Sequence, residues 1–286
     1  MHNSFCCYGK LYPLDKVYIM GILNITPDSF YASSRVNSEE EILSRCQQLL
    51  EEGADILDIG ACSTRPGAQL PDREEESRRL FYALHVIRKE YPDAMISVDT
   101  FHSEIARRAV EEFGVSIIND ISGGRFDPEM FETVGKLQIP YVLMHMQGTP
   151  ETMQNQPVYK SPVEEISQWF VQKTLELREA GVADIILDPG FGFGKTTEQN
   201  YEILSRLNDF AIHDLPLLVG VSRKGMIQRL LGVSSEESLN GTTAVHVVAL
   251  MKGVVRFLRV HDVKSAVECV KVYEMVRKGE NSDFFF

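Results

Sequence analysis

The chain has 286 residues, 44% hydrophobic and 24% charged, which is enough to bury a large core and sets intrinsic disorder aside. Its 29 Lys and Arg against 41 Asp and Glu leave a formal net charge of −12, which opposes general attraction to nucleic acid or an anionic membrane. No apolar stretch approaches the roughly 20 residues of a membrane span, the N-terminus lacks signal-peptide order, and the five cysteines show no CxxC spacing, so the expected setting is the cytoplasm with reduced thiols.

From Val17 onward, short apolar runs alternate with longer amphipathic ones. That alternation predicts a parallel sheet covered by helices. Strands are expected at residues 17–25, 55–61, 95–99, 116–121, 141–146, 184–188, 217–221 and 256–260, each followed by a helical pattern. In the first helix Ser38 and Glu41 form a candidate capping box, Ile42, Leu43, Cys46, Leu49 and Leu50 form the buried stripe, and Gly53 stops it. A second helix over residues 163–180 places Ile166, Phe170, Leu175 and Leu177 on its apolar face, with Gly181 as its left-handed cap. Long connections, at residues 26–37, 62–73 and 147–162, follow strands 1, 2 and 5.

Eight βα units predict an α/β fold, a single (β/α)8 TIM barrel in one domain over residues 1–286, with its core at 17–279 and short tails at both ends. An open doubly wound sheet is the competitor. The polar residues favour closure: Asn24, Asp58, Asp99, Asn119, His145, Asp188, Ser222, Arg259 and His261 all fall at or near strand C-termini, where a barrel gathers its catalytic groups on one face.

Three stretches carry chemistry. Ser63-Thr64-Arg65-Pro66-Gly67 holds an Arg between hydroxyls and a proline, well placed to meet an anion. Ser222-Arg223-Lys224-Gly225 starts a helix directly after a strand, so backbone N–H groups and two cations converge there. Asp188-Pro189-Gly190-Phe191-Gly192-Phe193-Gly194-Lys195 is neither a P-loop, since Pro189 stands where the first glycine belongs, nor a dinucleotide fingerprint. It is a carboxylate at a strand end followed by backbone that can approach a flat ligand closely.

Together with residues 24–30, Ser97-Val98-Asp99-Thr100, Ile118-Asn119-Asp120 and Arg259-Val260-His261-Asp262, these motifs resemble the dihydropteroate synthases, and the match runs from residue 17 to 279. The resemblance implies a transferase of folate biosynthesis that condenses 6-hydroxymethyl-7,8-dihydropterin diphosphate with p-aminobenzoate, with Mg2+ assisting and Asn24 on the metal side. It implies pterin binding by Asp99, Asn119, Met144, Asp188, Phe193 and Lys224. Diphosphate is expected at Asn24, Arg65, Arg259 and His261, and p-aminobenzoate at Phe30, Thr64, Pro66, Ser222 and Lys224. Asn24, Arg65, Lys224, Arg259 and His261 would carry catalysis. A homodimer is expected through helices over residues 242–253 and 263–278, whose stripes include Val247, Leu250, Val267, Val270 and Tyr273.

The chain departs from the family pattern at Tyr31-Ala32-Ser33-Ser34-Arg35, where an acidic residue and glycines are usual, and at Cys62, often Glu in the family. Two alternatives stay open. One is a non-catalytic pterin-binding paralogue. The other is a pterin-dependent methyltransferase, which would share Asp99, Asn119 and Asp188 but lack Ser-Thr-Arg-Pro-Gly and Ser-Arg-Lys. A metal hydrolase using His102 and His145 would need a His-x-His on the first strand, which residues 20–24 do not have.

Overall fold

A computed structural model describes residues 4–25, 35–61, 72–149 and 158–281. Its first two strands, β1 (Ser4–Cys7) and β2 (Lys10–Pro13), form an antiparallel hairpin. Eight strands follow: β3 (Tyr18–Asn24), β4 (Ile56–Gly60), β5 (Ile96–Asp99), β6 (Ile117–Asp120), β7 (Tyr141–Met144), β8 (Ile185–Asp188), β9 (Leu217–Val219) and β10 (Val255–Val260). They pair in parallel in chain order, and β10 returns to β3 through Arg259 opposite Met20, closing the barrel. Closure rules out the open sheet, in which first and last strands stay apart.

Helices cover the outside: α1 (Arg35–Glu51), α2 (Arg73–Glu90), α3 (Ser103–Phe113), α4 (Met130–Leu137), α5 (Pro162–Glu179), α6 (Thr197–Ser205), α7 (Gly225–Leu231), α8 (Leu239–Leu250) and α9 (Val263–Asn281). Their starts follow local chemistry. Asp72 caps α2 by accepting from the Glu75 N–H at 2.8 Å, with Glu74, Glu75 and Glu76 in the first turn where the helix dipole favours acid. Thr196 and Gln199 form a complete capping box on α6. The period-2 pattern of each strand sorts the core. Ile19, Leu23, Leu57, Ile59, Val98, Leu143 and Leu187 point outward to the helices, while Met20, Ile56, Ile117, Val142, Ile186, Leu218 and Phe257 fill the interior.

Three sequence expectations change. α1 starts at Arg35, so Ser38 sits within its first turn rather than at its cap. Leu175 is 60% exposed, and α5 buries Val163, Ile166, Phe170 and Leu177 instead, because a full turn of helix does not carry residue 175 onto the core face. The residues before Val17 are not a tail. Phe5 is 2% exposed beneath the barrel, stacked on Tyr12 at 5.2 Å and packed edge-on to Tyr18 at 5.3 Å and against Phe257 at 5.7 Å. The Cys6 N–H donates to Asp184 and the Tyr8 hydroxyl to the Val115 carbonyl, which fixes the hairpin as a plug at the N-terminal end. We expect Phe5→Ala to cost about 3–5 kcal/mol in a denaturant titration, as for other buried Phe truncations.

Candidate active site

The interior changes from apolar to polar towards the strand C-termini. Asp58 lies mid-strand in β4 with inward parity, fully buried, with Ser97 opposite it on β5. Arg259 on β10 reaches across the barrel: Nε donates to Asp58 Oδ2 at 2.6 Å and Nη2 to Asp99 Oδ2 at 2.8 Å. The Asn119 amide nitrogen lies 3.4 and 3.5 Å from the two Asp58 oxygens. Burial pushes the Asp99 carboxyl up to about 7, against the opposing pull of Arg259. The Arg259 guanidinium is penalised by burial but held above its ordinary range by Asp58 and Asp99.

Above this layer the sequence-predicted pterin residues converge. Met144 and Phe193 join Phe101, Ile121 and Met146 in a buried apolar cluster at the mouth, with Phe126 packed against it. Asp188 is 4% exposed at the end of β8; Oδ1 accepts the Gly190 N–H at 2.8 Å, and Oδ2 has no hydrogen-bond partner among the described residues. Burial raises the Asp188 carboxyl, while Lys224, the Gly190 N–H and Lys195 pull it down. Lys224 Nζ lies 4.6 Å over the Phe193 ring and donates to the Phe191 carbonyl. Burial lowers its ammonium to about 8, with Asp188 opposing. A Cβ built on Gly220 would lie 3.8 Å from both Lys224 Nζ and Arg259 Cβ, so the two cations share the mouth over this residue.

Asn24 ends β3. A side chain on Gly60 would meet Asp99 Cβ at 3.4 Å and Asn24 Oδ1 at 3.6 Å, so Asn24 and Asp99 stand side by side over this glycine. The Ser222 hydroxyl accepts the His261 N–H at 3.1 Å and lies 3.2 Å from the ring Nδ1, orienting the imidazole on the β10 side. Arg223 does not join the anion site: its guanidinium binds both oxygens of Asp262, at 2.8 and 2.6 Å, which leaves Lys224 as the cation of that turn facing Asp188. Phe30, Thr64, Arg65 and Pro66 lie outside the described residues.

The sequence assigns no role to Asp58, one of its polar strand-end residues, or to Lys195, which closes the Asp188–Lys195 stretch. Asp58 had a signal, an acid between apolar neighbours with the inward parity of Ile56 and Gly60. Lys195 flanks the backbone expected to approach a flat ligand, but nothing in the sequence marks it as buried, since a lysine after glycine reads as a solvated cation. His145 packs edge-on to Trp169 at 5.1 Å, and burial holds its imidazole well below the ordinary histidine range, so it is neutral. His102 faces Glu76 at 3.6 Å. Among the described residues no group of three His, Cys, Asp or Glu is arranged to hold a metal ion.

A closed parallel barrel whose C-terminal mouth joins an apolar clamp to an inward-facing carboxylate and paired buried charges defines a barrel enzyme for a flat, amide-edged heterocycle. The pterin binding enzyme family profile matches residues 20–261. Dihydropteroate synthase of Escherichia coli (strain K12) is 41% identical over 268 residues, 93% of this chain and 94% of that protein. The crystal structure of Yersinia pestis dihydropteroate synthase in complex with a sulfonamide drug has a TM-score of 0.89 at 37% identity, covering 96% of this chain and 99% of that one. Xanthomonas albilineans dihydropteroate synthase with 4-aminobenzoic acid gives 0.86 at 35% identity, covering 97% and 99%. The chain belongs to the dihydropteroate synthase family of pterin-binding enzymes, transferases of folate synthesis. The methyltransferase reading falls away.

Proposed function

We propose that the barrel mouth binds 6-hydroxymethyl-7,8-dihydropterin diphosphate, ionises its C–O bond, and delivers the methylene to the amine of p-aminobenzoate. The observation that carries this is Asp188: a buried carboxylate at a strand end, facing the charge of Lys224, whose Oδ2 has no hydrogen-bond partner among the described residues, suits the two adjacent N–H donors of an amino-pyrimidinone edge. Asp99 and Asn119 complete the polar rim, while Met144 and Phe193 cover the ring faces. As the C–O bond breaks, its electrons leave with the diphosphate. The ring spreads the positive charge, the amine nitrogen attacks, and its proton departs to solvent. A neutral arylamine needs no general base before attack.

In this reading Asn24, Arg65, Arg259 and His261 meet the diphosphate, and Phe30, Thr64, Pro66, Ser222 and Lys224 hold the aminobenzoate. Three carboxyl groups (Asp58, Asp99, Asp188) face Arg259, Lys224 and Lys195, and burial lowers the two lysine ammonium groups to about 8 and about 7, so the described interior has no surplus positive charge for a diphosphate. That balance suits Mg2+, which keeps most of its waters, takes few protein oxygens and is held largely by substrate phosphates. Asn24, whose amide oxygen has no hydrogen-bond partner among the described residues, would hold it beside Asp99. When bound, the metal would offset charge growing on the leaving diphosphate.

If bond breaking precedes attack, kcat should change by less than about threefold across ring-substituted aminobenzoates that differ in basicity, because the amine is not yet bonded in the transition state. A steep dependence on amine basicity would rule out that order. Asp99 and Asp188 must be carboxylates to accept pterin N–H groups, so pterin affinity should fall as pH drops through about 7, the value to which burial raises Asp99.

A single domain working in the cytoplasm as a homodimer completes the proposal. Among the described residues no helix is long and apolar enough to cross a membrane, and the free thiols of Cys6, Cys7, Cys46 and Cys269 suit a reducing compartment. Leu250, Val270 and Tyr273 are buried on the barrel, and Val247 and Val267 pack on its core, so these stripes are not free to form a dimer interface. Support comes instead from Val248 of α8, Met251 just past it, and Val272 and Met275 of α9, all of which are exposed. Sedimentation should give twice the 32.3 kDa chain mass; the chain mass alone at micromolar concentration would sink the dimer.

A further inference from the structure

Lys195 is 1% exposed, yet no carboxylate lies within ion-pair reach of its ammonium among the described residues. Its Nζ donates to the carbonyls of Gly190 at 2.9 Å, Phe193 at 3.0 Å and His145 at 3.3 Å, and lies 3.2 Å from His145 Nδ1. Three N–H donors thus meet four acceptors contributed by the end of β7 and the loop after β8. Backbone and ammonium are interlocked at this point. A Cβ on Gly190, whose φ is +70°, would stand 1.9 Å from the His145 carbonyl oxygen and 3.4 Å from Lys195 Nζ. Burying a lone ammonium is costly, and an apolar side chain would fill the same space more cheaply. Stability of the fold therefore does not explain the charge.

The neighbouring groups do. The peptide unit on the N side of Gly190 donates to Asp188 Oδ1, while the Gly190 carbonyl accepts from Lys195, so the ammonium and the carboxylate grip the same residue from opposite sides. Phe193 is held by its carbonyl in the same way, and Lys224 draws the Phe191 carbonyl from the ligand side. We propose that Lys195 is a positioning residue for the pterin: it locks residues 190–193 so that Asp188 and Phe193 face the ligand. The inference rests on Asp188 being the pterin acceptor. The charged and titratable groups around this pair are Lys224 and Arg259 on the Asp188 side, and Arg125 and His145 on the Lys195 side. Burial lowers the Lys195 ammonium to about 7, with Asp188 opposing, and while protonated it is one of the influences that hold the Asp188 carboxyl down, a charge role that its removal takes away.

The test compares the unaltered protein with Lys195→Met and Lys195→Arg by calorimetry with 6-hydroxymethyl-7,8-dihydropterin diphosphate between pH 6 and 9, and by steady-state kinetics. Lys195→Met should lose pterin affinity by about tenfold or more, with KM for p-aminobenzoate within about twofold. The midpoint of acid-side loss of affinity should move up. Lys195→Arg keeps the charge but not the compact donor geometry, so it should lose affinity with its midpoint unmoved. A folded Lys195→Met with the unaltered affinity and midpoint overturns the proposal. If that variant does not fold, unaltered affinity in Lys195→Arg overturns the locking role, and a raised midpoint there overturns the charge role. Unchanged affinity in Asp188→Asn would instead remove the reading on which the proposal rests, whatever Lys195 does.

Discussion

Asp188→Asn should weaken binding of the dihydropterin substrate by at least about 100-fold while leaving the fold intact. Two charge-assisted hydrogen bonds, worth roughly 1.5–3 kcal/mol each, are replaced by an amide that presents an NH2 group to ligand donors or accepts through one neutral oxygen. The Gly190 N–H retains an acceptor in the asparagine, so the loop after β8 keeps its turn. Calorimetry without p-aminobenzoate isolates this effect from turnover. Affinity equal to that of the unaltered protein would refute the assignment of Asp188 to the pterin edge.

Arg259→Met should have the largest combined effect on stability and turnover. The substitution leaves the buried carboxylates of Asp58 and Asp99 without the guanidinium that bridges them, and breaking a buried ion pair from one side costs about 3–5 kcal/mol. The pH dependence has a defined sign. With the guanidinium gone, the Asp99 carboxyl, already raised by burial, titrates higher in the folded than in the unfolded chain, so the native state binds more protons and loses stability as pH rises. The deficit should therefore be greatest at alkaline pH and shrink towards pH 5. A second change, Asp58→Asn, should recover part of the stability without restoring turnover, since it removes one unpaired charge but not the need for the cation. A denaturant midpoint for Arg259→Met within error of the unaltered protein at pH 8 would show that the pair does not hold the barrel interior together.

The fold was legible wherever burial follows sequence period. The eight strands came within a few residues of their observed limits because continuous apolar runs bounded by turns leave little choice once helical patterns separate them. The hairpin at residues 4–13 was not legible. Its four-residue strands are too short to show a period, and what stabilises them is Phe5 meeting Tyr18 and Phe257 across the floor of a barrel that the local sequence does not encode. The Ser38 cap failed for a related reason, since cap chemistry marks places where a helix can start and tertiary contacts choose among them.

The site divides along the same line. Asp99, Asn119, Met144, Asp188 and Arg259 lie at the ends of strands of one parallel barrel, and Lys224 and His261 follow such ends, so topology alone gathers them at one mouth. Pairing was not readable. Arg259 and Asp58 are 201 residues apart in sequence and 2.6 Å apart in space, and Arg223, with equal prior claim to an anion, is committed to Asp262. Lys195 shows the limit most clearly. Its type suggests solvent, and only the folding of residues 188–195 around its ammonium makes it part of the site.

The most direct measurement is diphosphate release by the purified protein from 6-hydroxymethyl-7,8-dihydropterin diphosphate and Mg2+, with and without p-aminobenzoate, while 7,8-dihydropteroate is followed by chromatography. Amine-dependent release with one dihydropteroate formed per diphosphate is the predicted result. Pterin binding without amine-dependent product would contradict it and would make the chain a binding paralogue, with the departure at Tyr31-Ala32-Ser33-Ser34-Arg35 as the first place to look for the cause.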